Sequence, residues 1–374
     1  MFIGLDPDSV RVRLYEHQGK ALLREYGIPV PPSKLIDSPE QAPGAFEGLA
    51  PPVMVKAQVL SGGRAKAGGI VAVTSPGEAE REAARIMGLR FGGEAPKALL
   101  LEKDLAHESE MYLSVSLDRG ERTFVVVASA SGGVEVESTG GRVVEAIPLS
   151  GLTEGIAGSV MEKLPLQGRS VTEFREILFN LEQLSREKEC ELAEINPLGV
   201  GPEGALTALD SKIILDDNAL FRHPELAQLA EGNPDAAATK EGFAFVELDG
   251  DIAVIGNGAG LVLSTLDLVR DAGGRAACFL DLGGGAQTDR VKAALKVAGG
   301  LPSVRKILVN IFGGITNTTD VAAALRSGVD GGLDKPIFAR ISGADEGEAR
   351  ELLAETPTSL FATTLEAVEA AVRG

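Results

Sequence analysis

A basic, glycine-rich loop follows an apolar segment in the first part of the chain. Lys56 lies in the segment VMVKAQV, and the loop SGGRAKAGG that comes next contains Gly63, Arg64 and Ala65. Glycines let backbone amides approach phosphate oxygens, and Lys and Arg side chains neutralise their charge. The pattern predicts a site that holds a polyphosphate, with a flexible solvated turn as the alternative. It is not a P-loop, because G-x-x-x-x-G-K-[ST] does not occur in it.

A second pattern places a carboxylate beside a side-chain amide. The segment CELAEINPLGVGPEGALTALDSK predicts two strands around a turn at 201–204. If that turn sets the register, Asn196 faces Asp210 or its neighbour, and period-two alternation puts Glu194 and Lys212 on the same face. An amide oxygen and a carboxylate suit Mg²⁺, which takes the rest of its shell from water and substrate phosphates. A solvated sheet face is the alternative.

Polar residues also follow two apolar segments in the last third of the chain. Asn257 follows DIAVIG, but Leu261 stands where the third glycine of G-x-G-x-x-G belongs, so a dinucleotide site is not predicted. After KILVNIFGG, the start of a predicted helix offers unpaired amides and a dipole that favour an anion. No Lys or Arg occurs between residues 307 and 325. Backbone amides and the side chains of 316–319 are therefore expected to be the only donors nearby, with ordinary helix capping as the alternative.

The elements that position these residues fall into two classes. From about residue 243, near-continuous apolar strands alternate with helices, which predicts an α/β domain with a doubly wound parallel sheet. The preceding residues mix helices and strands, which predicts an α+β domain. One helix is predicted over 16–26, and another begins with a capping box from Ser170 to Glu173 and carries an apolar face. The polar stretch 230–242 is predicted to be an interdomain linker.

Composition limits the possible partners. The chain has 374 residues and a net charge of −18, so its surface repels nucleic-acid phosphates and anionic lipids. Neither a signal-like amino terminus nor an apolar stretch of about 18 residues occurs, which predicts a soluble, cytoplasmic protein without membrane contact. Cys190 and Cys278 are predicted to be core residues. His17, His107 and His223 lie outside the patterns above and are predicted to be surface or packing residues.

Nine motifs, in order over nearly the whole chain, resemble those of the β subunits of succinyl-CoA synthetases, an ATP-grasp acid–CoA ligase family. They are LYEHQGKALLREYGIPVP, VMVKAQVLSGGRAKAGG, SASGGVEVES, AEINPL, ALDSK, DDNALFR, NGAGL, FLDLGGGA and VNIFGGIT. The resemblance implies an N-terminal ATP-grasp domain over 11–232 and a C-terminal flavodoxin-like domain over 243–374. It also implies reversible formation of succinyl-CoA from succinate, CoA and ATP or GTP. Mg²⁺ would be the cofactor, and a separate α subunit, in an αβ or α2β2 assembly, would carry a phosphohistidine.

The resemblance also implies roles for individual residues. The nucleotide-binding positions are Lys56, Gly63, Arg64, Ala65, Glu102, Leu105 and Glu110. The Mg²⁺ ligands are Asn196 and Asp210, and Glu194 is the catalytic carboxylate that receives the phosphohistidine. The acid-binding positions shared with the α subunit are Asn257, Gly314, Ile315 and Thr316.

Several residues depart from the family pattern. Ala65 and Ser211 replace glycines, residues 139–167 match poorly, and the TNTTD run after FGGI is one residue longer than usual. Because the last change bears on the acid, a malate–CoA or citrate–CoA ligase β subunit is the first alternative. The second is a catalytically inactive, nucleotide-binding regulatory subunit.

Overall fold

The computed structural model describes residues 12–91, 95–133, 141–229, 243–285, 287–314 and 316–374. Within these residues the chain forms two compact units, one ending at residue 229 and the other beginning at residue 243. The predicted linker 230–242 and the predicted site residue Ile315 lie outside the described residues. The predicted domain bounds, 11–232 and 243–374, therefore stay a prediction.

The first unit combines helices with antiparallel strands. Its strands are β1 (Val12–Arg13), β2 (Ser33–Ile36), β3 (Val53–Ala57), β4 (Ile70–Val73), β5 (Leu99–Lys103), β6 (Ser109–Asp118), β7 (Thr123–Ser129), β8 (Val143–Ile147), β9 (Cys190–Val200), β10 (Leu206–Ala208) and β11 (Lys212–Leu215). Its α-helices are α1 (Glu16–Glu25), α2 (Ala42–Glu47), α3 (Pro76–Met87), α4 (Glu154–Met161), α5 (Arg169–Glu187) and α6 (Pro224–Leu229). Short 3₁₀ helices cover Pro39–Gln41, Pro202–Gly204 and Asp217–Arg222.

These strands form two sheets. One runs in the order β1–β11–β9–β6–β7–β8, with β10 also paired to β9, and the other runs β2–β5–β3–β4. The described pairs in both sheets are antiparallel. The α+β prediction for this part of the chain is confirmed.

Two helix predictions in this unit had different outcomes. The helix predicted over 16–26 is α1, with Tyr26 as its C-cap residue. The capping box predicted at Ser170 is wrong, because α5 already begins at Arg169 and Ser170 lies inside the helix. The Ser170 hydroxyl bonds to the backbone of Gln167, and the Glu173 carboxylate accepts from the Leu206 amide instead of closing a box.

The second unit contains one six-stranded sheet between two layers of helices. Its strands are β12 (Ala244–Glu247), β13 (Ile252–Gly256), β14 (Ala276–Asp281), β15 (Lys306–Gly313), β16 (Ile337–Gly343) and β17 (Ser359–Leu360). Its helices are α7 (Ala259–Asp271), α8 (Thr288–Gly300), α9 (Thr318–Asp330), α10 (Glu346–Leu353) and α11 (Thr364–Arg373). The sheet order is β12–β14–β13–β15–β16–β17.

The doubly wound prediction for this unit is confirmed. The strands from β13 to β17 pair in parallel. Side chains of α8, α9 and α10 pack on one face of the sheet, and side chains of α7 and α11 pack on the other. The antiparallel edge strand β12 was not among the predicted elements. This topology brings the carboxyl ends of β13, β14 and β15 to one edge, where the predicted acid-binding residues lie.

Both cysteines are buried core residues, as predicted. Cys190 lies on β9 and Cys278 on β14, and neither forms a disulfide. Burial raises the pKa of each thiol to about 12. Among the described helices, none combines the length and apolarity needed to cross a bilayer.

Candidate functional site

Six charged side chains form one ionic cluster in the first unit, which we call the charge cluster. Its members are Glu16 and Lys20 from α1, Lys56 from β3, Arg64 from the loop after β3, Glu102 from β5, and Asp210 from the turn before β11. All except Asp210 are buried. Three positive and three negative charges balance, which is the condition under which buried charges are tolerated.

Lys56 is held by three acceptors inside the charge cluster. Its Nζ lies 3.0 Å from Glu16 Oε1, 2.6 Å from Glu102 Oε1 and 2.8 Å from the Leu209 carbonyl oxygen. An ammonium group has three protons, so these contacts use its full donor capacity. The predicted nucleotide residues Lys56 and Glu102 are therefore bonded to each other in this structure.

Lys20 contacts the same two carboxylates and the same backbone carbonyl as Lys56. Its Nζ lies 2.5 Å from Glu102 Oε2, 2.8 Å from Glu16 and 2.7 Å from the Leu209 carbonyl oxygen. Each oxygen of Glu102 thus contacts a different lysine. Burial and the neighbouring Lys56 lower the pKa of Lys20, and Glu16 and Glu102 oppose that shift.

Arg64 joins the glycine-rich loop to the predicted metal-binding residue. Its Nη2 lies 2.5 Å from Glu16 Oε2 and 2.7 Å from Asp210 Oδ2, and its Nη1 donates to the Ala57 carbonyl at 2.8 Å. Asp210 also accepts from the Ser211 amide at 2.7 Å. The loop and the β10–β11 turn, 146 residues apart in sequence, therefore meet through this ion pair.

The protonation states of the charge cluster follow from this pairing. Burial alone raises the pKa of the Glu16 carboxyl, but Lys56, Lys20 and Arg64 together hold it well below its usual range. Burial alone lowers the pKa of Lys56, but Glu16 and Glu102 raise it above the usual value. Both groups therefore stay charged at neutral pH.

Glu16 and Lys20 were not among the predicted site residues. The signal was present in the sequence, because Glu16, Gly19, Lys20 and Leu23 recur at the spacing of one helix face. All four are buried. Two charges on the face that also carries a buried leucine would have indicated an internal ion pair.

The phosphate-loop residues on either side of Arg64 are exposed. Gly63 adopts a φ of +74°, which disfavours other residue types, and a Cβ there would meet nothing within 4 Å. Ala65 is also exposed, and its carbonyl accepts from Gly68. Because Ala65 has a side chain of one methyl group in an open position, its departure from glycine leaves the approach to the loop backbone open.

A histidine connects two of the predicted nucleotide residues. His107 Nδ1 lies 3.0 Å from the Leu105 carbonyl oxygen, and its Nε2 lies 3.0 Å from Glu110 Oε1. An oxygen acceptor at each ring nitrogen matches the charged imidazolium, which donates from both. The hydrogen bond to Leu105 and the nearby Glu110 raise the pKa of His107. The prediction that His107 is only a surface or packing residue did not anticipate these contacts.

The hairpin between β9 and β11 has the predicted register. Lys212 pairs with Glu194, and Ala208 pairs with Leu198, which places Asp210 opposite Asn196. Asn196 Oδ1 accepts from the Gly133 amide at 2.7 Å. The register therefore sets a residue with an amide side chain opposite one with a carboxylate.

This pair of oxygen donors fits Mg²⁺ in part. Asn196 and Asp210 offer the hard oxygen ligands that the ion prefers. Among the described residues, no three His, Cys, Asp or Glu side chains are grouped so as to hold a metal by themselves. A bound Mg²⁺ would thus need further oxygens from a substrate and from water.

Glu194 lies two residues before Asn196 on the same face. Its carboxylate accepts from the Tyr112 hydroxyl at 3.0 Å. Burial raises the pKa of Glu194, and the Lys212 and Tyr112 side chains only partly oppose that rise. A carboxylate whose pKa is raised by burial and opposed by specific polar partners has the properties expected of a group that handles a proton or a charged intermediate.

In the second unit, Asn257 and Thr316 meet at the carboxyl edge of the sheet. Asn257 Nδ2 donates to Thr316 Oγ1 at 3.0 Å and to the Phe312 carbonyl at 2.8 Å, and its Oδ1 accepts from the Phe312 amide at 2.9 Å. The Gly285 amide also donates to Thr316 Oγ1, at 3.2 Å. Gly314 is exposed beside them, and a Cβ there would meet nothing within 4 Å. Three of the predicted acid-binding residues thus lie together, and the fourth, Ile315, lies outside the described residues.

The donors near the start of α9 differ from those expected. The Asn317 side chain caps α9 by accepting from the Thr319 amide, and the Thr318 hydroxyl donates to the Ala344 carbonyl. Arg340, on the adjacent strand β16, lies opposite Asn310, and its guanidinium carbon is 5.7 Å from the centre of the Phe312 ring. The expectation that only backbone amides and the side chains of 316–319 supply donors here is wrong, because the Asn257 side chain donates to Thr316. The strand order, which the sequence alone does not show, places Arg340 beside Phe312.

Comparison with known proteins identifies both units. Residues 13–200 match the family model of an ATP-grasp domain, and residues 255–373 match that of a CoA-ligase. A solved structure of ATP citrate lyase from Methanothrix soehngenii, in complex with citrate and coenzyme A, superposes with a TM-score of 0.65 at 18% identity. That alignment covers 97% of this chain and 100% of the other, and it shows the shared fold.

Curated relatives are similar over nearly their whole length. The chain is 41% identical to the succinate–CoA ligase [GDP-forming] subunit beta of Thermus thermophilus, over 96% of this chain and 98% of that protein. It is 42% identical to the succinate–CoA ligase [ADP-forming] subunit beta of Ignicoccus hospitalis, over 97% of this chain and 99% of that protein. With an ATP-grasp domain, a CoA-ligase domain and this identity over nearly the whole length, the chain belongs to the succinate–CoA ligase β-subunit family.

Proposed function

We propose that this chain is the nucleotide-binding β subunit of a succinate–CoA ligase. Together with an α subunit, it would reversibly form succinyl-CoA from succinate, CoA and ATP or GTP. The names of the relatives support the acid and the subunit type, and they include both ADP-forming and GDP-forming enzymes. The observation that carries the proposal is the Arg64–Asp210 contact, since it places a basic loop against a metal-type oxygen ligand within one ATP-grasp unit.

The nucleotide would bind along the charge cluster. Arg64 lies within the glycine-rich loop and Lys56 in the strand before it, and exposed backbone at Gly63 and Ala65 leaves room for phosphate oxygens. Leu105 and Glu110, which are joined by His107, would bind the base and the ribose. Glu102 would contribute from the buried side, where two lysines hold its carboxylate in place.

Asn196 and Asp210 would hold Mg²⁺ together with the nucleotide phosphates. The ion, when bound, neutralises phosphate charge and fixes the geometry of the transferred group. Asn196 is oriented by the Gly133 amide, and Asp210 by the Ser211 amide. Glu194, on the same face, would receive the phosphohistidine of the α subunit and stabilise its charged imidazole.

The acid would bind in the second unit, at a site shared with the α subunit. Asn257, Gly314 and Thr316 lie together there, and Ile315 completes the set that the family resemblance implies. The Asn257 amide is already fixed by Phe312 and Thr316, so it is positioned before any ligand arrives. The cytoplasmic location and the choice between αβ and α2β2 assembly stay predictions.

The experiment that tests the proposal mixes the purified chain with an α subunit of the same family. We expect CoA- and ATP- or GTP-dependent formation of succinyl-CoA, with succinate preferred over malate and citrate. The chain alone should form no acyl-CoA and carry no base-stable phosphate label from γ-labelled nucleotide, because the described contacts of its histidines serve packing or positioning. Preference for malate or citrate would show that succinate is not the acid substrate. Mg–nucleotide binding without turnover in the mixture would favour a regulatory subunit.

A further inference from the structure

One nitrogen of Arg64 is shared by two carboxylates that differ in their surroundings. Arg64 Nη2 contacts Glu16 Oε2 at 2.5 Å and Asp210 Oδ2 at 2.7 Å. The Glu16 side chain is 2% exposed, whereas that of Asp210 is 30% exposed. Solvent, and any ligand that approaches through it, can therefore reach Asp210 but not Glu16.

The bond to Asp210 can be released while Arg64 stays in place. Two other contacts hold the guanidinium: the one to Glu16, and the hydrogen bond from Nη1 to the Ala57 carbonyl. Glu16 is in turn fixed by Lys20 and Lys56. Loss of Asp210 would free one N–H of Nη2 that already lies at the glycine-rich loop, without moving the side chain.

We propose that the Arg64–Asp210 pair makes the site select the metal–nucleotide complex over either component alone. In the free protein, the residue proposed to bind phosphate neutralises the residue proposed to bind the metal. A metal ion that arrives alone must break the Arg64–Asp210 contact to use that carboxylate oxygen, and a metal-free nucleotide must break it to use that N–H of Arg64. The complex breaks the pair once and satisfies both residues. This inference rests on the function proposed above.

The physical basis is a coupling free energy. When two ligands disrupt the same intramolecular contact, the binding free energy of the first is reduced by the free energy of that contact. The second ligand binds after the contact is broken, so each ligand raises the affinity of the other. The pair also protects a strongly acidic chain from unproductive metal binding. With a net charge of −18, an unpaired Asp210 would attract divalent cations in the absence of nucleotide.

The first test measures Mn²⁺ binding to the nucleotide-free protein through loss of the free-ion electron paramagnetic resonance signal. Arg64→Gln should bind Mn²⁺ more tightly than the wild type, by about tenfold within the 5–150-fold range typical of coupled sites. Lys66→Gln is the matched control, because it removes one exposed positive charge from the same loop. It should change the affinity far less. Equal gains in both variants would show a general charge effect and would overturn the inference.

A second variant changes Asp210, the other partner of the same bond, and so does not depend on the folding of Arg64→Gln. Asp210→Asn should bind ADP more tightly than the wild type in the presence of EDTA, and should bind Mg–ADP more weakly. Glu108→Gln, which removes an exposed carboxylate of the same unit, measures the general effect of one negative charge. Metal-free affinity that is unchanged, or raised no more than in Glu108→Gln, would contradict the inference.

These outcomes are distinct from failure of the proposed function. If the wild type binds Mg–ADP but the two variants behave like their controls, the pair does not select the complex and the proposed function stands. If the wild type binds neither Mg–ADP nor Mg–ATP, the proposed nucleotide site itself is wrong.

Discussion

The Tyr112 hydroxyl and the Glu194 carboxylate form a 3.0 Å hydrogen bond between neighbouring strands β6 and β9. The bond stabilises the ionised carboxylate, yet burial still raises the pKa of Glu194. The hydrogen bond and the burial therefore act on the charge of the Glu194 carboxylate in opposite directions.

We expect Glu194→Gln to stabilise the fold at neutral pH. Because the folded-state pKa lies above the unfolded value, the contribution of Glu194 is present below the unfolded pKa and is lost as the pH rises through the folded pKa. The glutamine side chain of the variant does not ionise, so this loss of stability does not occur, and its amide oxygen can still accept the hydrogen bond from Tyr112. Stabilising changes of this kind commonly yield about 0.5–2 kcal/mol, and the half-buried position of Glu194 favours the low end.

Thermal unfolding at pH 7.5 and at pH 4 checks this expectation. The gain should be present at pH 7.5 and shrink toward pH 4. Glu78→Gln is the control of opposite sign, because hydrogen bonds from Thr74 lower the pKa of Glu78. It should not stabilise the protein at pH 7.5. A Glu194→Gln protein that is less stable than the wild type at both pH values would refute the argument from burial.

Lys56→Met should weaken Mg–ATP binding by at least tenfold. The methionine fills a similar volume but cannot donate, and loss of one charge-assisted contact costs about 1.5–3 kcal/mol. Glu16 and Glu102 keep their contacts with Lys20, so the carboxylates are not left without a cation. Calorimetric titration measures the affinity, with Lys66→Met as the exposed control in the same part of the chain. Unchanged affinity in a folded Lys56→Met protein would remove Lys56 from the site.

Thr316→Val should impair use of the acid while Mg–nucleotide binding stays near the wild-type value. The change removes the oxygen that accepts from both Asn257 and Gly285, and a hydrogen bond between half-buried groups contributes about 0.5–1.5 kcal/mol. In the assembled enzyme we expect a higher KM for succinate. Thr319→Val removes a hydroxyl whose described hydrogen bond goes to Asn317, and it serves as the matched control. Equal effects of the two changes would indicate loss of helix stability rather than of acid binding.

We expect His107 to stabilise the fold more at low pH than at high pH. Its folded-state pKa is raised, so its contribution is fully present below the ordinary value of 6.5 and is lost as the pH rises through the folded value. The difference in melting temperature between wild type and His107→Gln should therefore be largest below pH 6.5 and shrink above it. Proton NMR of the ring should show a pKa above 6.5 that falls in Glu110→Gln. A ring pKa below 6.5 would contradict the described contacts.

Period-two and helical patterns predicted the backbone of the site more fully than its contacts. The turn at 201–204 correctly gave the register that sets Asp210 opposite Asn196, because strand pairing next to a tight turn is a local matter. The capping box at Ser170 failed because Glu173 bonds to the backbone of a later strand. The contact between Arg340 and Phe312 was missed for the same reason, because the two residues lie on different strands and the sequence does not show which strands pair. Contacts between residues that are far apart in the sequence cannot be predicted from the pattern of one short segment.

The balance of the charge cluster has a kinetic consequence. Since its three cations and three anions cancel, the cluster adds little field beyond its own dimensions, and an incoming nucleotide meets mainly the repulsion of a chain with net charge −18. Salt at about 0.15 M screens such surface charges beyond about 8 Å but acts much less on buried pairs. Added salt should thus speed the approach of the nucleotide and leave its departure nearly unchanged, which is the reverse of the behaviour of a site that attracts its ligand through a basic surface.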